Sequence, residues 1–120
     1  MLRSVLRAGN RSKNEIYFAN LCAEHYLTLT NIKMFEGWDS DVILPEHKIA
    51  VMWNGIFHYK KIARSHNLEA VQRRDKLKIE AIIRCGYSPY VIIDMGSYRP
   101  SFVEEQFYLF ESTMIFSRYY

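Results

Sequence analysis

Two cysteines in 120 residues, Cys22 and Cys85, are too few for a disulfide framework or a cysteine-rich zinc cluster. Their scarcity suits a reducing, intracellular compartment, either cytoplasmic or the host cytoplasm of a phage-encoded protein. No apolar run approaches the roughly 18 residues that a membrane-spanning helix requires, so no membrane partner is expected. The basic opening MLRSVLRAGNRSK lacks the apolar core and small-residue cleavage site of a secretory signal; residues 1–11 read as a basic arm or a very short transit-like segment. Internal repeats, low-complexity runs and interdomain linkers are also missing, which leaves one domain over residues 1–120. A strong charge imbalance is lacking too, since the net charge is only +3.

What is present is enough apolar material for a core, 49% of residues, with 24% charged and 15% aromatic. The charge is unevenly placed. Lys60, Lys61, Arg64, Arg73, Arg74, Lys76 and Lys78 fall within 19 residues. Such a cluster can neutralise phosphates without a large net charge, although a solvated helix face has the same composition.

Ser12, with Glu15 three residues later, has the spacing of a capping box and predicts a helix over 12–26. LTLTNIKMF is β-prone. DVIL and KIAVMWN, separated by PEH, read as a strand pair, and GIFHYKKIARSHN as a loop. LEAVQRRDKLKIEAIIRCG predicts a long helix stopped by Gly86. YVIID reads as a short buried strand, and Ser101 opens a last helix. The order α-β-β-β-α-β-α, with a three-stranded meander, implies a mixed sheet flanked by helices.

Acids stand where apolar residues belong. Leu68, Val71, Ile79 and Ile82 form one helical stripe with Asp75 in its middle. A carboxylate there must meet a metal, a histidine, an arginine or water. Glu15 shares a helix face with Phe18, Ala19 and Cys22, although it also fits as a simple capping acid. Asp41 opens the strand pair and His58 follows it; a turn cap and a satisfied loop histidine are their plainer roles. Their convergence on one sheet points to a hydrolytic site.

The segments DVILPEHKIAVMWNGIFHY and VQRRDKLKIEAIIRCGYSPYVI resemble the very-short-patch repair endonucleases. They resemble still more the phage homing endonucleases of the E-D-x-H-D pattern, both within the PD-(D/E)XK nuclease superfamily. The resemblance spans about residues 12–110. It implies a restriction-endonuclease-like fold and metal-dependent hydrolysis of double-stranded DNA. The pattern's residues would be Glu15, Asp41, His58 and Asp75, although aligning His58 takes a one-residue gap. In the repair enzymes a main-chain carbonyl of the second strand binds metal, and Trp53 occupies that place here. Mg²⁺ or Mn²⁺ would then sit on Asp41 and the Trp53 carbonyl, His58 would be general base and Asp75 its orienting acid. Glu15 would hold a metal-bound water or a second metal, and the basic residues of 60–78 would grip phosphate. Phe57 falls near the position where the repair enzymes wedge an aromatic into a mismatch. Their Cys/His zinc cluster has no match here, which favours the homing branch, with a homodimer as one route to double-strand cleavage. A non-catalytic DNA-binding subunit or specificity factor on the same frame is the alternative, and a small interaction protein the third.

Overall fold

The structure, a computed structural model, describes residues 12–55, 59, 67–94 and 96–119. It is a mixed α/β protein with three helices and a three-stranded mixed sheet among the described residues. The chain divides into two compact units, one made by the chain up to His25 and from Gly96 onward, the other by Tyr26–Met95.

The first unit pairs helix α1 (Lys13–His25) with helix α3 (Pro100–Tyr119). Ser12 caps α1, its Oγ accepting from the Glu15 N–H at 3.0 Å, the half of a capping box that the spacing anticipated. Asn14, Glu15, Phe18, Ala19 and Cys22 are buried along one face at helical spacing. Pro100 starts α3, where its fixed φ helps and its missing N–H costs nothing. Val103, Phe107 and Phe110, at i, i+4 and i+7, form its buried stripe. Phe18 meets Phe107 and Phe110 edge-on, with ring centroids 6.1 and 5.5 Å away. Asn14 ties the turn before α3: its Nδ2 donates to the Ser97 carbonyl, and its Oδ1 accepts from the Arg99 N–H.

The second unit holds the sheet. Strand β1 (Val42–Leu44) runs antiparallel to β2 (Ile49–Gly55), joined by a turn in which Lys48 takes φ 56°. Helix α2 (Leu68–Arg84) follows in sequence, and β3 (Ser88–Asp94) pairs parallel to β2, with Ile49 opposite Ser88 and Gly55 opposite Asp94. A parallel neighbour needs such a crossover. Asn67 caps α2 by accepting from the Ala70 N–H at 3.0 Å. At the other end Gly86 takes φ +86°, while Tyr87 N donates to the Ile82 carbonyl and Gly86 N to the Ile83 carbonyl. This is a Schellman ending, and it needs the left-handed backbone that glycine supplies.

The central strand β2 is buried from Ala50 to Asn54 on both faces, as expected between two neighbours with both faces covered. Ala50 and Met52 pack with Phe35, Ile43, Ala81, Ile82 and Tyr87 in one core cluster. Truncating Met52 to alanine there would cost about 2–5 kcal/mol.

One expected element is absent. The segment LTLTNIKMF is not a strand: Leu29 makes a single antiparallel bridge with Ile43, and the described order is α-β-β-α-β-α without a meander. Asn31 takes φ 56°, a left-handed conformation that interrupts extended pairing after that bridge. The chain then turns at Glu36 and Gly37, φ 56° and 92°, closed by the bridge between Phe35 and Trp38. Alternating β-prone residues could not outweigh two left-handed corners. The last helix, expected to open at Ser101, begins one residue earlier and runs to Tyr119.

Candidate functional site

Trp53, on the sheet's central strand, is held at two points. Its backbone N–H donates to Asp41 Oδ2 at 2.6 Å, and its indole Nε1 donates to Asp94 Oδ2 at 2.9 Å. Two neighbouring chain segments therefore clamp this residue of β2 with carboxylates, one on the main chain and one on the side chain. Trp53 and Asp94 are buried and Asp41 is half-buried. Hydrogen bonds to an ionised acceptor are shorter and stronger than neutral ones, and a buried carboxylate requires such partners. Ser40, 1% exposed, adds a further tie, its Oγ donating to the Val51 carbonyl at 2.7 Å.

The next residue along β2 opens onto a different space, because successive strand residues face opposite sides of a sheet. Asn54 is buried, and its Nδ2 donates to Tyr59 Oη at 3.1 Å. Asn54, Tyr59, Asp75, Lys76, Ile79 and Val91 are among the residues lining an open groove of about 470 Å³. Asp75 is half-buried on the α2 stripe, flanked along the helix by Val71 and Ile79, and is among the residues lining this groove. The Trp53–Asn54 dipeptide thus joins two features: Asp41 holds its main chain, and the Asn54 amide faces the groove of Asp75.

Glu15 lies in the first unit, 7% exposed in the opening turn of α1. A carboxylate there is favoured by the helix dipole. Arg73, Arg74 and Lys76 are exposed on α2. Lys78 is paired with Asp39 at 3.3 Å. Arg84 pairs with Glu36 at 2.6 Å, and that guanidinium draws the Glu36 carboxyl below its ordinary range. His58, Phe57, Lys60, Lys61 and Arg64 lie outside the described residues.

Sequence reasoning passed over Asp94 and Asn54. Asp94 could have been found: it closes the apolar run YVIID, and an acid at the carboxyl end of a buried parallel strand stands where α/β proteins place ligands. Asn54 carried no such signal, because a lone asparagine before glycine reads as a turn.

Asp41 brings a carboxylate beside β2, the oxygen donor type that hard divalent cations take. Among the described residues no group of three or more His, Cys, Asp or Glu converges as a ready-made metal cage. No described helix is long and apolar enough to cross a membrane. Comparison of the chain with protein-family models, curated proteins and solved structures returns no match.

Proposed function

We propose that this protein is a metal-dependent DNA endonuclease of the homing type, on a restriction-endonuclease-like frame. The observation that carries the reading is the anchoring of Asp41 on the main chain of Trp53. That contact holds the Asp41 carboxylate on Trp53, the strand position at which the resemblance to the repair enzymes would put a metal-ligating carbonyl. The groove lined by Asp75 and Asn54 lies at the adjoining residue of the same strand.

In this reading Asp41 and the Trp53 carbonyl would hold Mg²⁺ or Mn²⁺, which would supply Lewis-acid polarisation of the scissile phosphate and offset charge on the leaving oxygen. His58 takes the proton of the attacking water, a task matched to an imidazole near neutral pH. Asp75 orients that imidazole and favours its charged form. Exposed Arg73, Arg74 and Lys76 contact backbone phosphate, which positions DNA without reading its sequence.

The test is conversion of supercoiled plasmid to nicked or linear form by purified protein, with Mg²⁺ or Mn²⁺ and with chelator. Nicking that chelator abolishes is the expected result. Binding without cleavage under every metal tried would instead make the chain a non-catalytic DNA-binding subunit. Absence of both DNA and metal binding would remove nucleic acid from its function.

A further inference from the structure

We infer that Asp94 is a positioning residue for the metal centre and acts through Trp53; this rests on the nuclease reading above. Neither the composition nor the E-D-x-H-D pattern assigns it a role.

Trp53 is held at both of its nitrogen donors. Asp41 takes the main-chain N–H at 2.6 Å, and Asp94 takes the indole N–H at 2.9 Å. Asp94 reaches it from the far side of the sheet's central strand. In the parallel ladder Trp53 faces Ile92 and Gly55 faces Asp94, so Ile92 and Asp94 project to the same side as the Trp53 ring. The ring is a rigid lever on its Cα. Fixing its tip at Asp94 restrains χ1 and χ2, and through them the torsions of residue 53. A carbonyl ligand is useful only when its oxygen points at the ion; groups that orient a ligand directly typically cost roughly 10–100-fold in affinity or activity when removed, and Asp94 would act one step further out, through the Trp53 side chain.

The choice of a carboxylate supports a role beyond packing. Asp94 is 7% exposed, and burying a charged acceptor costs far more than burying a neutral one. A well-packed apolar pair would avoid that cost, since apolar replacements of buried ionic groups are often neutral or stabilising. The residue also closes β3, opposite Gly55 at the end of β2.

The test uses the full chain and Mn²⁺ alone as probe, without DNA. Mn²⁺ affinity is measured by electron paramagnetic resonance or calorimetry on wild type, Asp94→Ala, Asp94→Asn, Trp53→Phe and the double variant Trp53→Phe/Asp94→Ala. Trp53→Phe retains the main-chain amide and carbonyl, removes the indole donor and leaves a smaller ring, so its melting curve is read beside its Mn²⁺ affinity. The expected result is a loss of roughly 10–100-fold for Asp94→Ala and for Trp53→Phe. The double variant should be no weaker than the weaker single, because both act through one hydrogen bond. Asp94→Asn, which keeps an acceptor oxygen, should recover most of the affinity. In plasmid nicking the single variants should lose kcat with little change in the KM for DNA. Melting curves identify folded protein; if Asp94→Ala does not fold, Trp53→Phe and Asp94→Asn carry the test.

Mn²⁺ affinity within about twofold of wild type in folded Trp53→Phe overturns the inference, as does additive loss in the double variant. Asp94→Asn as weak as Asp94→Ala overturns the hydrogen-bond account. Wild-type protein that binds no Mn²⁺ sinks the metal-centre reading itself, and the role of Asp94 with it. That outcome is distinct from a wild type that binds beside variants that bind equally well.

Discussion

Replacing Asp41 by alanine and by asparagine separates its structural task from its proposed chemical one. The carboxylate accepts the N–H of Trp53, a residue 6% exposed, at 2.6 Å. Alanine removes that acceptor from a buried donor, a change worth about 1–3 kcal/mol. Asp41 is half-buried, so water reaches part of the gap and the lower half of that range, about 1–2 kcal/mol, applies. For a chain of this length each kcal/mol moves the midpoint by roughly 3–6 °C, which predicts a fall of about 3–12 °C. Asparagine keeps an acceptor oxygen, and its melting temperature should stay within a few degrees of wild type. Both variants lose the charged oxygen ligand, so both should lose metal-dependent nicking. DNA binding should hold or strengthen, because a negative charge near phosphate is removed. Differential scanning fluorimetry and plasmid nicking on the same preparations decide the matter. An Asp41→Asn protein that is folded and nicks at the wild-type rate would refute the proposed site. An unchanged melting temperature in Asp41→Ala would refute the hydrogen-bond accounting.

Asp75→Asn should reduce nicking by about two to four orders of magnitude, the range for loss of acid–base help or its orienting group, while the melting temperature holds; a large loss of stability with normal specific activity in the folded fraction would make Asp75 structural. DNA affinity should fall with salt, and Arg73→Ala or Lys76→Ala should each flatten the log–log slope by up to about one unit; unchanged slopes in both would sink the basic face. Burial, with a smaller contribution from Glu111, pushes the Cys22 thiol up to about 12. Ellman's reagent at neutral pH should therefore label exposed Cys85 and spare Cys22 until the protein unfolds. The same raised value means that the folded state keeps a proton which the unfolded chain releases near its ordinary pKa. Stability should then decline between about pH 9 and pH 12, and a Cys22→Ala variant should show a shallower decline over that window.

The residues themselves determined the local elements. Ser12 and Glu15 at capping spacing, Asn67 ahead of an amphipathic run, and Gly86 behind it specify helix ends through contacts a few residues long, and α1 and α2 begin and end within about two residues of those signals. The two apolar arms around PEH likewise form β1 and β2, because hairpin pairing is local. The position of Asp75 on an otherwise apolar stripe was legible for the same reason: helical periodicity is a property of the chain. Tertiary structure alone decided the rest. Whether LTLTNIKMF pairs depends on the backbone at Asn31, Glu36 and Gly37, where left-handed torsions limit it to isolated bridges at Leu29 and Phe35. The partners of Trp53 lie 12 and 41 residues away in sequence, and no local pattern encodes such contacts. Asp94 meets the indole only because β3 pairs parallel to β2 in a register that sets Asp94 opposite Gly55, two residues beyond Trp53. Asn54 faces Asp75 across the groove because α2 packs on the side of the sheet to which Ala50, Met52 and Asn54 alternate. Short-range geometry is written in spacing, whereas which acid holds which donor is set by strand register and helix placement, quantities that exist only once the chain has folded.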